Sequence, residues 1–382
     1  MARKPAQHLE GRLSRAATVG EYFTAELLEP AGLTRIDVDW PADTDLMFEQ
    51  NKATGNWVIS GTVHTAKMYE FSLRGVIANT DVTVNLRLPA SPDPWTIWKD
   101  HPVDWDSLPY PKPDTASFRA TGDGLMIAAS RRGRSHAHKA LPRDDDARVY
   151  YDADTGWHIM AVADGAGSAP FSRLGSQTAV ETAITELPSL LATHLPDLAK
   201  ADLDAALPIT LGRTLTQAAA ALDDLSRDTG HPLRSFSTTL LIGIARKTVG
   251  GWFFASISVG DGMIGLLAKG EAPRMIAADS GAYAGQTTFL RSDMLTDPAQ
   301  ISARIHHRTA PDFTAFMLMT DGVSDPMFAS ETATADPAGW AALYDQIKDM
   351  DEDALLDWLN FRIKGEHDDR TIAILTPSET PV

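Results

Sequence analysis

Residues 158–168 read HIMAVADGAGS, an apolar run that ends in an aspartate and a glycine-rich turn. Residues 316–325, FMLMTDGVSD, repeat this order of an apolar run followed by Asp-Gly. Short apolar runs bounded by turn residues are typical of buried strands. We therefore predict two buried strands, each followed directly by an aspartate, Asp164 in the first case and Asp321 in the second.

Two further acidic sites precede predicted strands. Asp145 and Asp146 lie before one strand, and Asp368 and Asp369 lie before the last one. If the strands run antiparallel, carboxylates that follow two strands and precede two others meet at one edge of the sheets. Crowded carboxylates repel one another, and a hard divalent cation such as Mg²⁺ or Mn²⁺ removes that conflict. The pattern indicates a metal site with oxygen ligands.

The same aspartates also have a simpler interpretation. Asp-Gly is a common turn dipeptide, and it occurs four times in this chain. Acidic residues at strand ends are often only solvated. For Asp261, in the segment Gly260-Asp261-Gly262, we predict a structural turn between strands.

Composition excludes several functional classes. The chain has 382 residues, 34 Lys+Arg against 51 Asp+Glu, and a formal net charge of −17. This acidity argues against nucleic-acid binding and against charge-driven attachment to membranes. The absence of cysteine excludes disulfides, a thiolate nucleophile and zinc–thiolate sites. It fits a cytoplasmic protein, and no apolar stretch has the length of a membrane span.

The pattern along the chain predicts two domains and a connector. We expect an N-terminal arm at residues 1–36 and a small all-β sandwich at 37–90, where DVTVNLRL (81–88) alternates strictly. Residues 53–75 resemble the core of bacterial immunoglobulin-like modules. A Pro- and Trp-rich connector follows at 91–117, and we expect its indoles to pack on the neighbouring domains. From 118 to 382, strands and helices mix.

The second domain resembles the metal-dependent serine/threonine protein phosphatases, the PPM or phosphatase 2C family, in the bacterial subgroup with a DGxGS turn. Six family motifs occur in order between about Ser130 and Leu375. They are Asp145-Asp146-Ala147 for E-D-A, Ala163–Gly167 for A-D-G-x-G, Phe236–Thr239 for G-S-T-A, Gly260–Met263 for G-D-S-R, Thr320–Asp325 for S/T-D-G-L/V-x-D and Asp368–Thr371 for D-N-x-T/S.

This resemblance implies an α+β fold, a four-layer α/β/β/α sandwich, preceded here by the immunoglobulin-like β-sandwich. It implies two Mn²⁺ or Mg²⁺ ions, whose bridging hydroxide hydrolyses phosphoserine or phosphothreonine in proteins. The implied catalytic residues are Asp164, Asp321 and Asp368. The implied metal residues are Asp145, Asp146, Asp164, Gly165 through its carbonyl, Asp321 and Asp368, with Asp146 behind the direct ligands.

Three positions depart from the family pattern. Ala166 replaces the histidine usually assigned as general acid, Leu141 replaces the phosphate-binding arginine, and Leu233 replaces an aspartate of a third metal site. A basic segment, residues 131–139, offers substitutes for the lost phosphate contact. The candidates are Arg134, His136, His138 and the nearby Arg143, and a solvated basic loop is the alternative.

The resemblance implies a bacterial signalling enzyme whose partner is a phosphoprotein, made by a cognate serine/threonine kinase. The alternative is a catalytically weak protein of the same fold that binds phosphoproteins or acts as a scaffold. The losses at positions 166 and 141 favour that alternative, and the retained aspartates oppose it. A carboxylate-metal nuclease is a third interpretation, which the acidic charge makes unfavourable.

Overall fold

The computed structural model describes residues 7–51, 54–106, 108–270, 273–276, 287–328, 330–363 and 365–378. The chain divides into two compact units, Met1–Lys99 and Asp100–Val382. The division falls inside the predicted connector rather than at either of its ends. No helix in the described part of the chain is both long and apolar enough to cross a membrane.

The first unit is all β, apart from one helical turn, α1 (Pro94–Ile97). Two sheets, in strand order β1-β9-β8-β5 and β2-β4-β7-β6, contribute to one cluster of buried side chains, and β3 also pairs with β9. The alternating residues of 81–88 lie in this core as predicted, with Val84 and Leu88 fully buried. The described strands are β1 (Gln7–Glu10), β2 (Arg12–Leu13), β3 (Ala17–Thr18), β4 (Tyr22–Glu29), β5 (Thr34–Val38), β6 (Met47–Gln50), β7 (Trp57–Thr62), β8 (Met68–Ile77) and β9 (Thr80–Ser91).

The predicted N-terminal arm at 1–36 is instead part of this unit from Gln7 onward; residues 1–6 lie outside the described residues. Strand β1 pairs in parallel with β9, and β4 pairs antiparallel with β7. In β4, Phe23 and Ala25 are buried while Thr24 is exposed, so buried and exposed side chains alternate along the strand. The residues of β7 that pair with β4 lie more than 30 positions further along the chain, and the local sequence does not reveal such a pairing. The immunoglobulin-like identity of the unit stays a prediction.

The second unit contains two antiparallel five-stranded sheets. Sheet I has the order β12-β13-β14-β15-β17, and sheet II has the order β10-β11-β19-β18-β16. Most of these strands are buried on both faces, which explains why they read as continuous apolar runs. The strands are β10 (Thr115–Thr121), β11 (Gly124–Arg131), β12 (Asp146–Asp152), β13 (Trp157–Ala163), β14 (Leu240–Thr248), β15 (Gly251–Val259), β16 (Met263–Leu267), β17 (Ile305–Ala310), β18 (Ala315–Met319) and β19 (Arg370–Pro377).

Helices cover the outer faces of both sheets. One core lies between the sheets, a second between sheet I and helices α3 and α5, and a third between sheet II and helices α7, α8 and α9. This is the predicted four-layer α/β/β/α sandwich, which is confirmed. The helices are α2 (Arg134–His138), α3 (Ser172–His194), α4 (Leu203–Leu207), a π-helical turn (Pro208–Gly212), α5 (Arg213–Thr229), α6 (Pro298–Ala303), α7 (Asp321–Met327), α8 (Pro337–Ile347) and α9 (Glu352–Trp358), with 3₁₀ turns at Leu233–Phe236, Ser292–Leu295 and Glu331–Ala335.

The second half of the connector packs within the second unit, but not through its indoles. Val103 and Lys112 are buried, whereas Trp105 is 39% exposed. The side chain of Arg173 in α3 donates to the carbonyl of Tyr110 at 2.8 Å. Residues 100–117 therefore belong to the catalytic-domain candidate, which was predicted to begin only at 118. The side chain of Trp95 lies outside the described residues.

Candidate metal centre

Strand register brings the four acidic sites to one edge of the two sheets. In sheet I, Asp146 at the start of β12 pairs with Ala163 at the end of β13, so Asp145 and Asp164 lie side by side. In sheet II, the end of β18 pairs with the start of β19 through Met319 and Ile372. The loops that carry Asp321 and Asp368 are therefore neighbours as well. Antiparallel pairing within each sheet produces the arrangement that the strand order suggested.

Three carboxylates form the centre of this edge. One oxygen from each of Asp164, Asp261 and Asp321 lies within 4.8 Å of the others. Asp261 was predicted to be only a turn residue, and the structure adds it to the candidate site. The signal was present in the sequence, because Asp261 follows β15 after one intervening residue, as Asp321 follows β18. Its side chain is the exposed member of the three.

Four carboxylates at this edge, those of Asp145, Asp164, Asp321 and Asp368, hold protons more tightly than isolated carboxylates do. Burial, with the charges of Asp145 and Asp321 next, raises the pKa of Asp164 well above its ordinary value. Burial and the charge of Asp368 raise the pKa of Asp321 to about 7. The pKa values of Asp145 and Asp368 are also raised, first by burial and then by neighbouring carboxylates. Negative charge is concentrated here without enough positive charge to balance it.

Asp145 joins the two sheets. Its side chain is 1% exposed, and its Oδ2 accepts hydrogen bonds from the hydroxyls of Thr320 at 2.9 Å and Thr371 at 2.8 Å. Thr371 lies in β19 of sheet II and Thr320 directly follows β18 of the same sheet, whereas Asp145 precedes β12 of sheet I. The hydroxyls orient this carboxylate toward the shared edge.

The Asp164 turn is fixed by the segment Thr238-Thr239. The backbone N–H of Asp164 donates to the Thr239 hydroxyl at 2.8 Å, and its carbonyl accepts from the Thr239 N–H at 2.8 Å and the Thr238 hydroxyl at 2.9 Å. At Gly165, an added Cβ would lie 2.6 Å from the carbonyl oxygen of Asp144, so this close approach requires glycine. The S-T-T motif is thus a support for the Asp164 loop.

Asp146 does not join the cluster. Its Oδ2 lies 3.1 Å from Lys112 Nζ, and its Oδ1 accepts a hydrogen bond from Arg148 at 2.5 Å. Burial alone would raise its pKa, but the cations Lys112, Arg143 and Arg148 outweigh burial and lower it. Asp146 therefore lies among cations rather than in the cluster, and its predicted place behind the metal ligands stays a prediction. Lys112, which sequence reasoning missed, carries no local signal of this pairing.

The structure places the four candidate phosphate-binding residues in different surroundings, and their contact with phosphate stays a prediction. Arg143 is 1% exposed, and its Nε donates to the carbonyl of Pro113 at 3.3 Å, so it faces the interior. His136 is 5% exposed and bonds to Asp369. The ring of His138 lies 6.0 Å from that of His101. Arg134 begins α2 and is half-buried.

The residues present fit divalent cations. The Oδ1 atom of Asp321 is buried and accepts no hydrogen bond from any residue that the structure describes. A buried oxygen without a donor is unfavourable unless another positive group approaches it. The three side-chain atoms that converge are carboxylate oxygens, which are the ligands that Mg²⁺ and Mn²⁺ prefer.

Comparison of the sequence with protein-family models identifies one family, whose match includes Asp164, Asp261 and Asp321. The family model described as protein phosphatase 2C matches residues 132–360, which is more than half of the chain. No curated protein sequence matches the chain significantly.

Several solved structures resemble the chain at low sequence identity. RsbX in complex with magnesium is 14% identical over 69% of this chain and 100% of its own, with a TM-score of 0.39. The S. agalactiae serine/threonine phosphatase is 14% identical over 69% of this chain and 99% of its own, with a TM-score of 0.41. The catalytic domain of the serine/threonine protein phosphatase PstP, in complex with two manganese ions, is 18% identical over 66% of this chain and 96% of its own, with a TM-score of 0.35.

Proposed function

The chain belongs to the protein phosphatase 2C family, and from this premise we propose that it hydrolyses phosphoserine or phosphothreonine in proteins with two Mn²⁺ or Mg²⁺ ions. The observation that carries the proposal is the convergence of Asp164, Asp261 and Asp321 inside the matched residues. Each of these aspartates lies within two residues of the end of a strand, so the sheets set their positions.

We assign the metal ligands to residues at the shared edge. Asp164, Asp261 and Asp321 would provide the central oxygens, with Asp145, Asp368 and the carbonyl of Gly165 completing the set. When bound, two divalent cations supply the attacking hydroxide and neutralise the phosphoryl oxygens. Asp146 is left out, because its charge is already balanced by Lys112 and Arg148.

The chain's own residues hold this set in place. The hydroxyls of Thr320 and Thr371 orient Asp145, and Thr238-Thr239 orients the Asp164 loop. Ala166, where the resemblance implies a general acid, has no proton to donate and is 7% exposed. We therefore expect this loop to position phosphate without protonating the leaving oxygen.

The finer parts of the proposal concern partners. The substrate would be a phosphoprotein produced by a cognate serine/threonine kinase, and the cytoplasmic location stays a prediction. A second candidate, phosphoprotein binding with little turnover, is favoured by one observation: Ala166 and Leu141 stand where the resemblance implies the acid and the phosphate-binding arginine.

The test is hydrolysis by the full chain of three substrates: p-nitrophenyl phosphate, a phosphoserine peptide and bis-p-nitrophenyl phosphate. We expect monoester hydrolysis with Mn²⁺, loss of activity in EDTA and negligible diester hydrolysis. Full activity in EDTA would overturn the metal assignment, and preferred diester hydrolysis would favour a nuclease. Peptide binding without hydrolysis of either monoester would favour the second candidate.

A further inference from the structure

We propose that His136 is a positioning residue: its imidazole, held between Asp369 and Asp144, aligns the two chain segments that carry Asp368 and Asp145. The inference rests on the proposed function, because it concerns the metal ligands of that site. It assigns a role to the basic segment that differs from the phosphate contact predicted from the sequence.

The contacts of His136 join three segments. Its Nδ1 lies 2.9 Å from Asp369 Oδ2, and its Nε2 lies 3.6 Å from Asp144 Oδ2. The carboxylate of Asp369 also accepts the backbone N–H groups of Gly133 and Asp144, each at 2.6 Å. Helix α2, the segment before β12 and the segment before β19 therefore share one buried hydrogen-bond network.

This network lies one residue from two proposed metal ligands. Asp144 precedes Asp145, and Asp369 follows Asp368. The backbones are also in direct contact, since a Cβ added at Gly133 would lie 2.2 Å from the carbonyl of Asp368. The N–H of Ser135 donates to the carbonyl of His367 at 2.9 Å. Any shift of α2 is therefore transmitted to the loop that carries Asp368.

Charge explains why a histidine serves here. Burial opposes a positive charge on His136, but the carboxylates of Asp369 and Asp144 outweigh burial and raise its pKa to about 9. A charged imidazolium carries an N–H on each nitrogen: Nδ1–H donates to Asp369, and Nε2–H lies within ion-pair distance of Asp144. The single positive charge of His136 thereby offsets part of the negative charge of two buried carboxylates.

The same geometry argues against a direct chemical role for His136. The side chain is 5% exposed, and both of its ring nitrogens face carboxylates. A Cβ added at Gly167 would lie 3.9 Å from Nε2, so the ring lies close to the glycine-rich turn. The hydrogen bond with Asp369 occupies Nδ1, and the carboxylate of Asp144 faces Nε2, which favours a positioning role for the ring.

The experiment compares the full chain with the variants His136→Ala and His136→Gln. The matched control is His158→Gln, a buried histidine near the opposite end of β13 from Asp164. Isothermal titration calorimetry measures Mn²⁺ affinity, and steady-state kinetics with p-nitrophenyl phosphate separates kcat from KM. Circular dichroism reports folding, and His136→Gln, which keeps an N–H donor, serves where the alanine variant does not fold.

We expect His136→Ala to weaken Mn²⁺ binding about 10- to 100-fold, the range typical of residues that orient metal ligands. His136→Gln should recover part of this loss, excess Mn²⁺ should restore kcat, and His158→Gln should bind Mn²⁺ as the unchanged chain does. Unchanged Mn²⁺ affinity in both His136 variants would overturn the proposal, and an increase in KM alone at saturating Mn²⁺ would assign His136 to phosphate instead. Because calorimetry needs no turnover, an inactive chain contradicts the proposed function without deciding the role of His136.

Discussion

Lys112 and Asp146 form a buried ion pair, with Lys112 Nζ 3.1 Å from Asp146 Oδ2 and side chains 4% and 2% exposed. The same ammonium group donates to the Ser176 hydroxyl at 3.0 Å and to the carbonyl of Arg173 at 3.1 Å. Lys112 lies in the Pro- and Trp-rich segment, whereas Asp146 begins β12 and Ser176 lies in α3. This one side chain therefore ties the segment before β10 to both a sheet and a helix.

Replacing Lys112 with methionine should destabilise the second unit. The change leaves Asp146 buried with fewer cations, and breaking a buried pair from one side costs about 3–5 kcal/mol; the remaining contact with Arg148 places the expected loss at the lower end. Urea unfolding measures this loss in the free energy of unfolding. The control is Lys348→Met, which removes an exposed ion pair with Asp345 and should cost less than about 1 kcal/mol. Similar losses in the two variants would contradict the structural role of Lys112.

The boundary at Asp100 predicts how the chain tolerates truncation. A chain that begins at Asp100 keeps Lys112 and should fold and hydrolyse p-nitrophenyl phosphate at the rate of the full chain. A chain that begins at Pro113 loses Lys112 and should aggregate or unfold at a lower urea concentration. If the first unit selects a protein partner, the chain from Asp100 should lose activity only on its phosphoprotein. Equal stability of the two truncated chains would show that residues 100–112 are dispensable.

Replacing Asp261 with asparagine should weaken Mn²⁺ binding by at least about 10-fold, because the change removes one charged oxygen from the cluster. Asp164→Asn is the positive control and should abolish Mn²⁺-dependent hydrolysis of p-nitrophenyl phosphate. Asp123→Asn, in another Asp-Gly pair at the β10–β11 turn, is the matched control and should leave calorimetric Mn²⁺ affinity unchanged. If Asp261→Asn behaves like Asp123→Asn, then Asp261 is only a turn residue.

Introducing a histidine at Ala166 should change substrate preference. Nitrophenolate leaves without protonation, whereas a serine alkoxide requires a proton, and general acids contribute about 10²–10⁴-fold. We expect phosphoserine peptides to be hydrolysed more slowly than p-nitrophenyl phosphate. We expect Ala166→His to reduce the difference between the two rates. Ala166→Gln controls for size. Rapid peptide hydrolysis by the unchanged chain would show that another group supplies the proton.

The His136 network predicts a specific dependence of stability on pH. Because the folded-state pKa is about 9 against an ordinary value of 6.5, the contribution of His136 is fully present below pH 6.5 and is lost as pH rises through 9. In EDTA, the difference in urea midpoint between the unchanged chain and His136→Gln should therefore shrink from pH 6 to pH 9.5. A constant difference would mean that His136 is uncharged in the folded protein.

Much of the architecture follows from local patterns. The apolar runs that end at Ala163 and Met319 predicted buried strands, and each run proved to be a strand of the sandwich. A similar rule, an aspartate within two residues of the end of a strand, would have placed Asp261 in the site had it been applied there. Strands β1 and β4 and the burial of Lys112 were missed, since their partners β9, β7 and Asp146 lie more than 30 residues away and local pattern does not encode such pairings.

The sequence alone determined the buried strands β13 and β18 and the aspartates that follow them, because hydrophobic period and turn chemistry are local properties. Only the tertiary structure decided which aspartate of each neighbouring pair serves the cluster. Successive side chains in extended backbone point in opposite directions. Asp145 thus accepts hydrogen bonds from Thr320 and Thr371, while Asp146 forms an ion pair with Lys112. In the second pair, Asp369 contacts His136, while Asp368 lies beside the cluster. Two identical residues in sequence acquire different electrostatic surroundings, and no local pattern distinguishes them.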